Sequence, residues 1–428
     1  MNAVSRRTFL ISSAVSAALP GVASCSTSSS GRPSSSAQPV LTGADRLARQ
    51  GWRPLGGRRV GVVANHTAVL SQPPAGLRHI VDDMHAGGEV DLVAIFGPEH
   101  GFRGTAQAGG SEGEHTDPRT GLPVHDTYGA DASALAGMFR RAGVEQVVFD
   151  IADVGARFYT YIWTMYTAMQ AAVRADVPFL VLDRPNPIGG AVAGPRLDPR
   201  FASGVGMLPI AQQHGMTAGE LARMFDREYL PDSAGRSLRQ LDVAEVQGWP
   251  RREFFAATGL PWVPPSPNMP TPDTAAVYPG TGLFEGTLLS EGRGTTRPFE
   301  VIGAPGIDWR WAEELDTAGL PGVRFREVRF VPTFSKHAGA ACGGVRLHRM
   351  SDSEFDAIRT AVAMLVTARR LYPRVFGWRP DHWIDELSGS ARLRHMVDAG
   401  AGTEEIVGAW QQEQAEFRRR REPYLLYR

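Results

Sequence analysis

The sequence predicts an α/β fold: a Rossmann-like, mostly parallel sheet domain, then a smaller α+β C-terminal domain that caps it, with the functional cleft between them. Three observations predict it. Short, continuously apolar runs at 60–64, 90–96, 147–151 and 179–182 read as strands covered on both faces. Between them, 77–85, 132–142 and 161–174 space their apolar residues as helices do. The chain then changes character at a proline-rich stretch, Pro261 to Pro279, read as an ordered, extended connection across a surface. Beyond it, 323–330 and 344–348 read as strands and 354–371 and 404–420 as helices. A chain of 428 residues is long enough for two such domains.

The N-terminus is a separate object. Ser5-Arg6-Arg7-Thr8-Phe9-Leu10 is a twin-arginine signature, and the apolar run behind it to Leu19 is too short to span a bilayer. Residues 1–25 therefore read as an export signal that places the mature protein outside the cytoplasm. Val22-Ala23-Ser24-Cys25 resembles a lipobox, which predicts lipidation of Cys25 and a membrane anchor; a cleaved signal with Cys25 incidental is the alternative. Residues 26–55 read as a tether because their Ser/Pro-rich start cannot pack, leaving 56–260 for the Rossmann-like domain and 261–428 for the cap. The other cysteine, Cys342, lies in a small-residue run and reads as a buried apolar side chain.

Lys plus Arg and Asp plus Glu are equal at 45 each, so no basic excess points to a nucleic-acid partner. The first strand leads into Asn65-His66-Thr67-Ala68 and not into Gly-x-Gly-x-x-Gly, which argues against a dinucleotide; no cofactor is expected. The 11 histidines include no His-x-x-x-His pair, so no metal site is expected either.

In a doubly wound sheet, ligands sit beyond the carboxyl ends of the strands. Here each such end carries polar, turn-rich sequence: Asn65-His66-Thr67, Gly97-Pro98-Glu99-His100 with Arg103, Asp150 to Arg157, and Asp183-Arg184-Pro185-Asn186. Glycine and proline fix the loop of Glu99 and a strand end aims it. Glu291 has a comparable setting in Ser290-Glu291-Gly292-Arg293, with Lys336 further on. Asp153 follows its strand closely, near Arg157, Tyr159 and Tyr161. A general acid near neutral pH needs a carboxyl raised by burial and a partner that stays ionised, and Glu99, Asp153 and Glu291 are candidates for those roles. Gly109-Gly110-Ser111-Glu112-Gly113 matches the Gly-x-Ser-x-Gly of serine hydrolases, but loop flanks it on both sides.

Four long motifs carry a resemblance: Gly97 to Gly104, Asp150 to Tyr161, Asp183 to Gly190 and Ser290 to Phe299. Together they resemble the bacterial exo-β-N-acetylmuramidase family, formerly a domain of unknown function, from about Gly57 to Tyr427. The resemblance implies a glycosidase that releases N-acetylmuramic acid (MurNAc) from the non-reducing end of peptidoglycan MurNAc-GlcNAc fragments. It implies a Rossmann-like domain without nucleotide and Glu99 as general acid. Arg103, Arg157 or Arg293 would clamp the lactyl carboxylate of muramic acid. Asn65, His66, His100, Tyr159, Tyr161, Asn186 and Lys336 complete the expected substrate-binding set. The chain departs from the family motif at Leu288, where an asparagine is expected. Two rivals to turnover remain: a non-catalytic muropeptide-binding lipoprotein, and a serine esterase or amidase using Ser111.

Overall fold

Alternate residues of a strand point to opposite faces, so a strand that is apolar throughout needs cover on both. A computed structural model describes residues 39–72 and 76–428, and it supplies that cover. Its strands are β1 (Arg59–Ala64), β2 (Asp91–Gly97), β3 (His115–Thr116), β4 (Pro123–Asp126), β5 (Gln146–Asp150), β6 (Phe179–Leu182), β7 (Ala193–Arg196), β8 (Ala211–Gln213), β9 (Leu241–Ala244), β10 (Val301–Ala304), β11 (Val323–Phe330) and β12 (Cys342–Arg349). The helices are α1 (Gly43–Arg49), α2 (Ile80–Gly87), α3 (Ala132–Ala142), α4 (Tyr161–Ala175), α5 (Ala218–Glu228), α6 (Leu230–Ala234), α7 (Pro272–Thr281), α8 (Arg310–Thr317), α9 (Ala357–Leu371), α10 (Trp383–Ser388), α11 (Arg392–Asp398), α12 (Thr403–Gly408) and α13 (Gln411–Arg421).

The main sheet runs β3-β4-β2-β1-β5-β6-β9 and is parallel except for the β3/β4 pair. Val62 packs in one core cluster with Leu180 and Leu182, while its neighbour Val63 packs in another with Phe96 and Phe149. The order reverses at β1, whose neighbours β2 and β5 lie on opposite sides. A crevice opens at such a switch point. The chain leaves β2 into Glu99 and β5 into Asp153, so both carboxylates belong to that crevice.

The second sheet, antiparallel β10-β12-β11, packs with α8 and α9 into the expected α+β cap. One core cluster runs from Phe149 and Phe179 through Tyr278 to Ile302 and Val345, so the two layers share an interior. The C-terminus returns to the first layer: Arg421 donates to the carbonyls of His214, Gly215 and Gly190, and the Tyr427 hydroxyl donates to Asp183 Oδ2 at 2.6 Å.

Several expectations need correction. The tether read through residue 55 is folded from residue 39 onward. A Thr42–Asp45 capping box starts α1, and Trp52 is buried with its indole N–H on Asp83. The proline-rich stretch is extended only as far as Thr271, which caps α7; Pro272 at the first helical position suits a helix start. The single helix read over 404–420 is two, α12 and α13. The signal, Cys25 and the tether up to residue 38 lie outside the described residues.

Candidate active site

Glu99 owes its position to its loop. His100 takes a left-handed φ of 70°, Gly101 follows at 83° and Gly104 at 84°. A Cβ on Gly101 would fall 2.1 Å from Glu112 and one on Gly104 would fall 2.4 Å from the His66 ring, so both positions need glycine for room as well as for φ. The loop is laced to itself: the His100 amide N–H donates to the Gly110 carbonyl and Glu112 accepts from the Arg103 and Thr105 amides. Within this frame Glu99 Oε1 accepts from the Gly109 amide at 2.8 Å, and Oε2 from Thr160 Oγ1 at 3.2 Å.

A charged cleft of about 650 Å³ lies between the layers, lined by Gln107 and Ala108 from this loop, Asn268, and Glu285, Glu291, Arg293, Lys336 and Arg379 from the cap. Arg293 lies between two carboxylates, 3.3 Å from Glu285 and 3.2 Å from Glu291, with its guanidinium over the Phe299 ring. Lys336 Nζ donates to the carbonyls of Phe284, Glu285 and Leu289. Its protons are thus aimed at backbone, and the 2.9 Å approach to Glu291 is an ion pair without an aligned hydrogen bond. Ser335 and His337, at φ of 67° and 57°, flank this lysine; strain of that kind persists where the surroundings over-determine it. Burial, reinforced by Glu291, raises the Glu285 carboxyl above its usual range against the pull of Arg293 and Lys336.

Phe158, Tyr159, Tyr161, Tyr278 and Phe299 form a buried aromatic cluster with edge-to-face contacts. The Tyr278 hydroxyl feels the charges of Glu285, Arg293, Glu99 and Asp153; burial first, then Glu285, holds it well above the ordinary phenol range, so it stays neutral. Asp153 accepts from the Gly155 amide, and its Oδ2 lies 3.2 Å from Nε2 of the fully buried His214. Nδ1 of that ring accepts from the Met216 amide, which leaves the proton on Nε2, facing Asp153.

The candidate carboxylates line neighbouring cavities: Glu99 an open groove beside α4, Asp153 a small cavity under the proline-rich stretch, and Glu291 the charged cleft with Arg293 and Lys336. Tyr278 feels the charges of Glu99 and Asp153 on one side and of Glu285 and Arg293 on the other, and the other predicted ligands turn away. Arg157 is fully buried and donates to the carbonyls of Pro195, Ile210 and Leu387, so its guanidinium presents no surface to a substrate. Arg103 is held by Asp82 and Asp117 in a separate cavity. Asn65 and Asn186 are buried and close turns at their strand ends. His66 donates to the Pro264 carbonyl and the Tyr161 hydroxyl to that of Pro265, so both pin the proline-rich stretch across the strand ends. His100 is buried with its ring on the Ala106 carbonyl. Ser111 donates to Asp126 and has no histidine partner; with loop on both sides, the serine-hydrolase alternative is set aside.

Sequence reasoning missed four residues of the site. Thr160 lies inside the Asp150 to Tyr161 motif, which by itself gives that threonine no role; Tyr278 carries no motif signal, and nothing near His214 marks it. Glu285 was legible: it opens the Glu285-Gly286-Thr287 turn six residues before Glu291.

The chain is similar to known proteins along most of its length. Residues 60–273 match the family described as exo-beta-N-acetylmuramidase NamZ, N-terminal, and residues 276–427 match its C-terminal counterpart. The chain belongs to this family. The NamZ family is one of glycoside hydrolases, and the break between its two matched regions falls within the first turn of α7. The chain is 43% identical over 390 residues to the peptidoglycan beta-N-acetylmuramidase NamZ of Bacillus subtilis (strain 168), covering 91% of each. It is also similar to two solved DUF1343 family proteins from Bacteroides fragilis, each 32% identical, with TM-scores of 0.83 and 0.73, over 91% of this chain and 99% of each. Glu99 and Asp153 come from the part matched by the NamZ N-terminal region, Glu285, Glu291, Arg293 and Lys336 from the C-terminal one.

Proposed function

We propose that this protein is an exo-acting β-N-acetylmuramidase that removes MurNAc from the non-reducing end of MurNAc-GlcNAc fragments of peptidoglycan. The observation that carries the reading is the placement of Glu99. It stands at the switch point of the sheet, held by Gly109 and Thr160, where the loop that lines the charged cleft meets α4.

In this reading Glu99 is the general acid. It gives its proton to the glycosidic oxygen as the bond from the muramic C1 breaks; water adds at C1 and its proton returns to the carboxylate. Arg293 takes the lactyl carboxylate, since it lines the charged cleft while Arg103 faces a separate cavity and Arg157 is buried. Glu285, which lines the cleft beside Arg293, supplies the second carboxyl. Asp153 and Glu291, both tied to basic partners, act by positioning. Export by the twin-arginine route and lipidation at Cys25 would hold the enzyme outside the cytoplasm, where wall fragments occur.

The test incubates the protein with MurNAc-GlcNAc and, separately, with GlcNAc-MurNAc, and follows products by mass spectrometry. Free MurNAc from the first substrate alone is the expected result. Cleavage of the second at a similar rate contradicts exo specificity, and binding of MurNAc-GlcNAc without any product returns the protein to the muropeptide-binding reading.

A further inference from the structure

A second cavity, an open groove of about 690 Å³, has Glu99 at its head and no part in the charged cleft. Thr160, which donates to Glu99, is the first of a row: Thr160, Thr164 and Thr167 line the groove along one face of α4. At 1.5 Å per residue that row is about 10 Å long. The walls carry Tyr128, Met207 and Trp383. Tyr128 is 46% exposed and Met207 38%, although both are large and apolar. The two cavities adjoin, because Arg379 of the charged cleft lies 5.6 Å from the Trp383 ring.

Hydroxyls on one side and flat apolar rings on the other match a pyranose chain, which presents hydroxyls at its edges and apolar C–H faces. The volume falls within the range of about 300–1,000 Å³ that holds a whole small ligand, more than one sugar ring requires. A lone catalytic carboxyl at the head of a groove needs the groove only if something extends from the scissile bond. We propose that this groove is an aglycone subsite for the β-linked oligosaccharide beyond that bond, with Tyr128 and Trp383 as platforms for its rings and the α4 threonines as its hydrogen-bonding floor. The inference rests on the activity proposed above and adds that the enzyme favours longer glycans over the disaccharide.

The experiment compares kcat/KM of the purified protein on MurNAc-GlcNAc and on the tetrasaccharide MurNAc-GlcNAc-MurNAc-GlcNAc. The tetrasaccharide is expected to be better by about 5-fold, chiefly through KM, and Tyr128→Ala or Thr167→Val should each bring the ratio towards one. Equal efficiency on the two lengths, or a preference that survives both substitutions, overturns the proposal. A preference that requires a stem peptide on the tetrasaccharide, and that Tyr128→Ala removes, also overturns it in favour of a peptide site. Should neither glycan be cleaved, the proposed activity fails; calorimetric binding of the tetrasaccharide, weakened by Tyr128→Ala or not, then decides the groove separately.

Discussion

Thr160 Oγ1 donates to Glu99 Oε2 at 3.2 Å, so the residue before α4 and the loop after β2 meet at one carboxylate. A hydrogen bond of this kind contributes about 0.5–1.5 kcal/mol, and here it fixes the rotamer of the proposed acid. Thr160→Val is expected to lower kcat on MurNAc-GlcNAc by about 10-fold with little loss of thermal stability, since the residue is only half-buried. Steady-state kinetics beside a melting curve checks both halves.

Arg293 separates Glu285 from Glu291 and stacks on Phe299. Lysine keeps the charge but not the fork. Arg293→Lys should therefore raise KM for MurNAc-GlcNAc by about 10-fold and have a much smaller effect on a GlcNAc-GlcNAc analogue, which lacks the lactyl carboxylate. Equal effects on the two substrates would remove Arg293 from the lactyl site.

Arg157 tests the opposite expectation. Its guanidinium satisfies three buried carbonyls, so Arg157→Met leaves acceptors unpaired and should destabilise the protein by about 3 kcal/mol, read from urea unfolding. Activity per folded molecule should change little, because the side chain touches no cavity wall of the site.

Asp183 supplies a pH dependence. Burial, with Glu220 adding to it, pushes this carboxyl up to about 7 against donors from Thr217, Tyr427 and Gly219. A group raised from 3.8 in the folded state binds a proton there that the unfolded chain has released. Its contribution is therefore complete below about pH 4 and is lost as pH climbs through 7, at no more than about 1.4 kcal/mol per unit. Urea midpoints measured from about pH 4 to 8 should show the natural protein losing stability relative to Asp183→Asn as pH rises.

The parallel sheet was legible because β1, β2, β5 and β6 are buried on both faces and so read as unbroken apolar runs. β9, half-buried at the sheet edge, and β3, two residues long, left no such run. The helix α7 hid behind its prolines, one of which starts it and one of which, Pro279, lies inside it. The site was half legible for a related reason. Strand ends locate the crevice, which found Glu99 and Asp153, but sequence does not say whether a rim side chain faces the crevice or turns into the core. Arg157 and Asn186 turn in; Arg293 does not. Tyr278 and His214 reach Glu285 and Asp153 through tertiary packing alone, which no local pattern records.

The most direct measurement compares Glu99→Gln with the natural protein on two substrates: MurNAc-GlcNAc, whose leaving oxygen needs a proton, and a dinitrophenyl β-MurNAc glycoside, whose leaving group does not. With Glu99 as general acid, the variant loses about 10³-fold on the disaccharide and stays within about 10-fold of the natural protein on the activated glycoside. Equal losses on both substrates, in a protein that melts normally, would contradict the assignment and make Glu99 a nucleophile or a positioning residue.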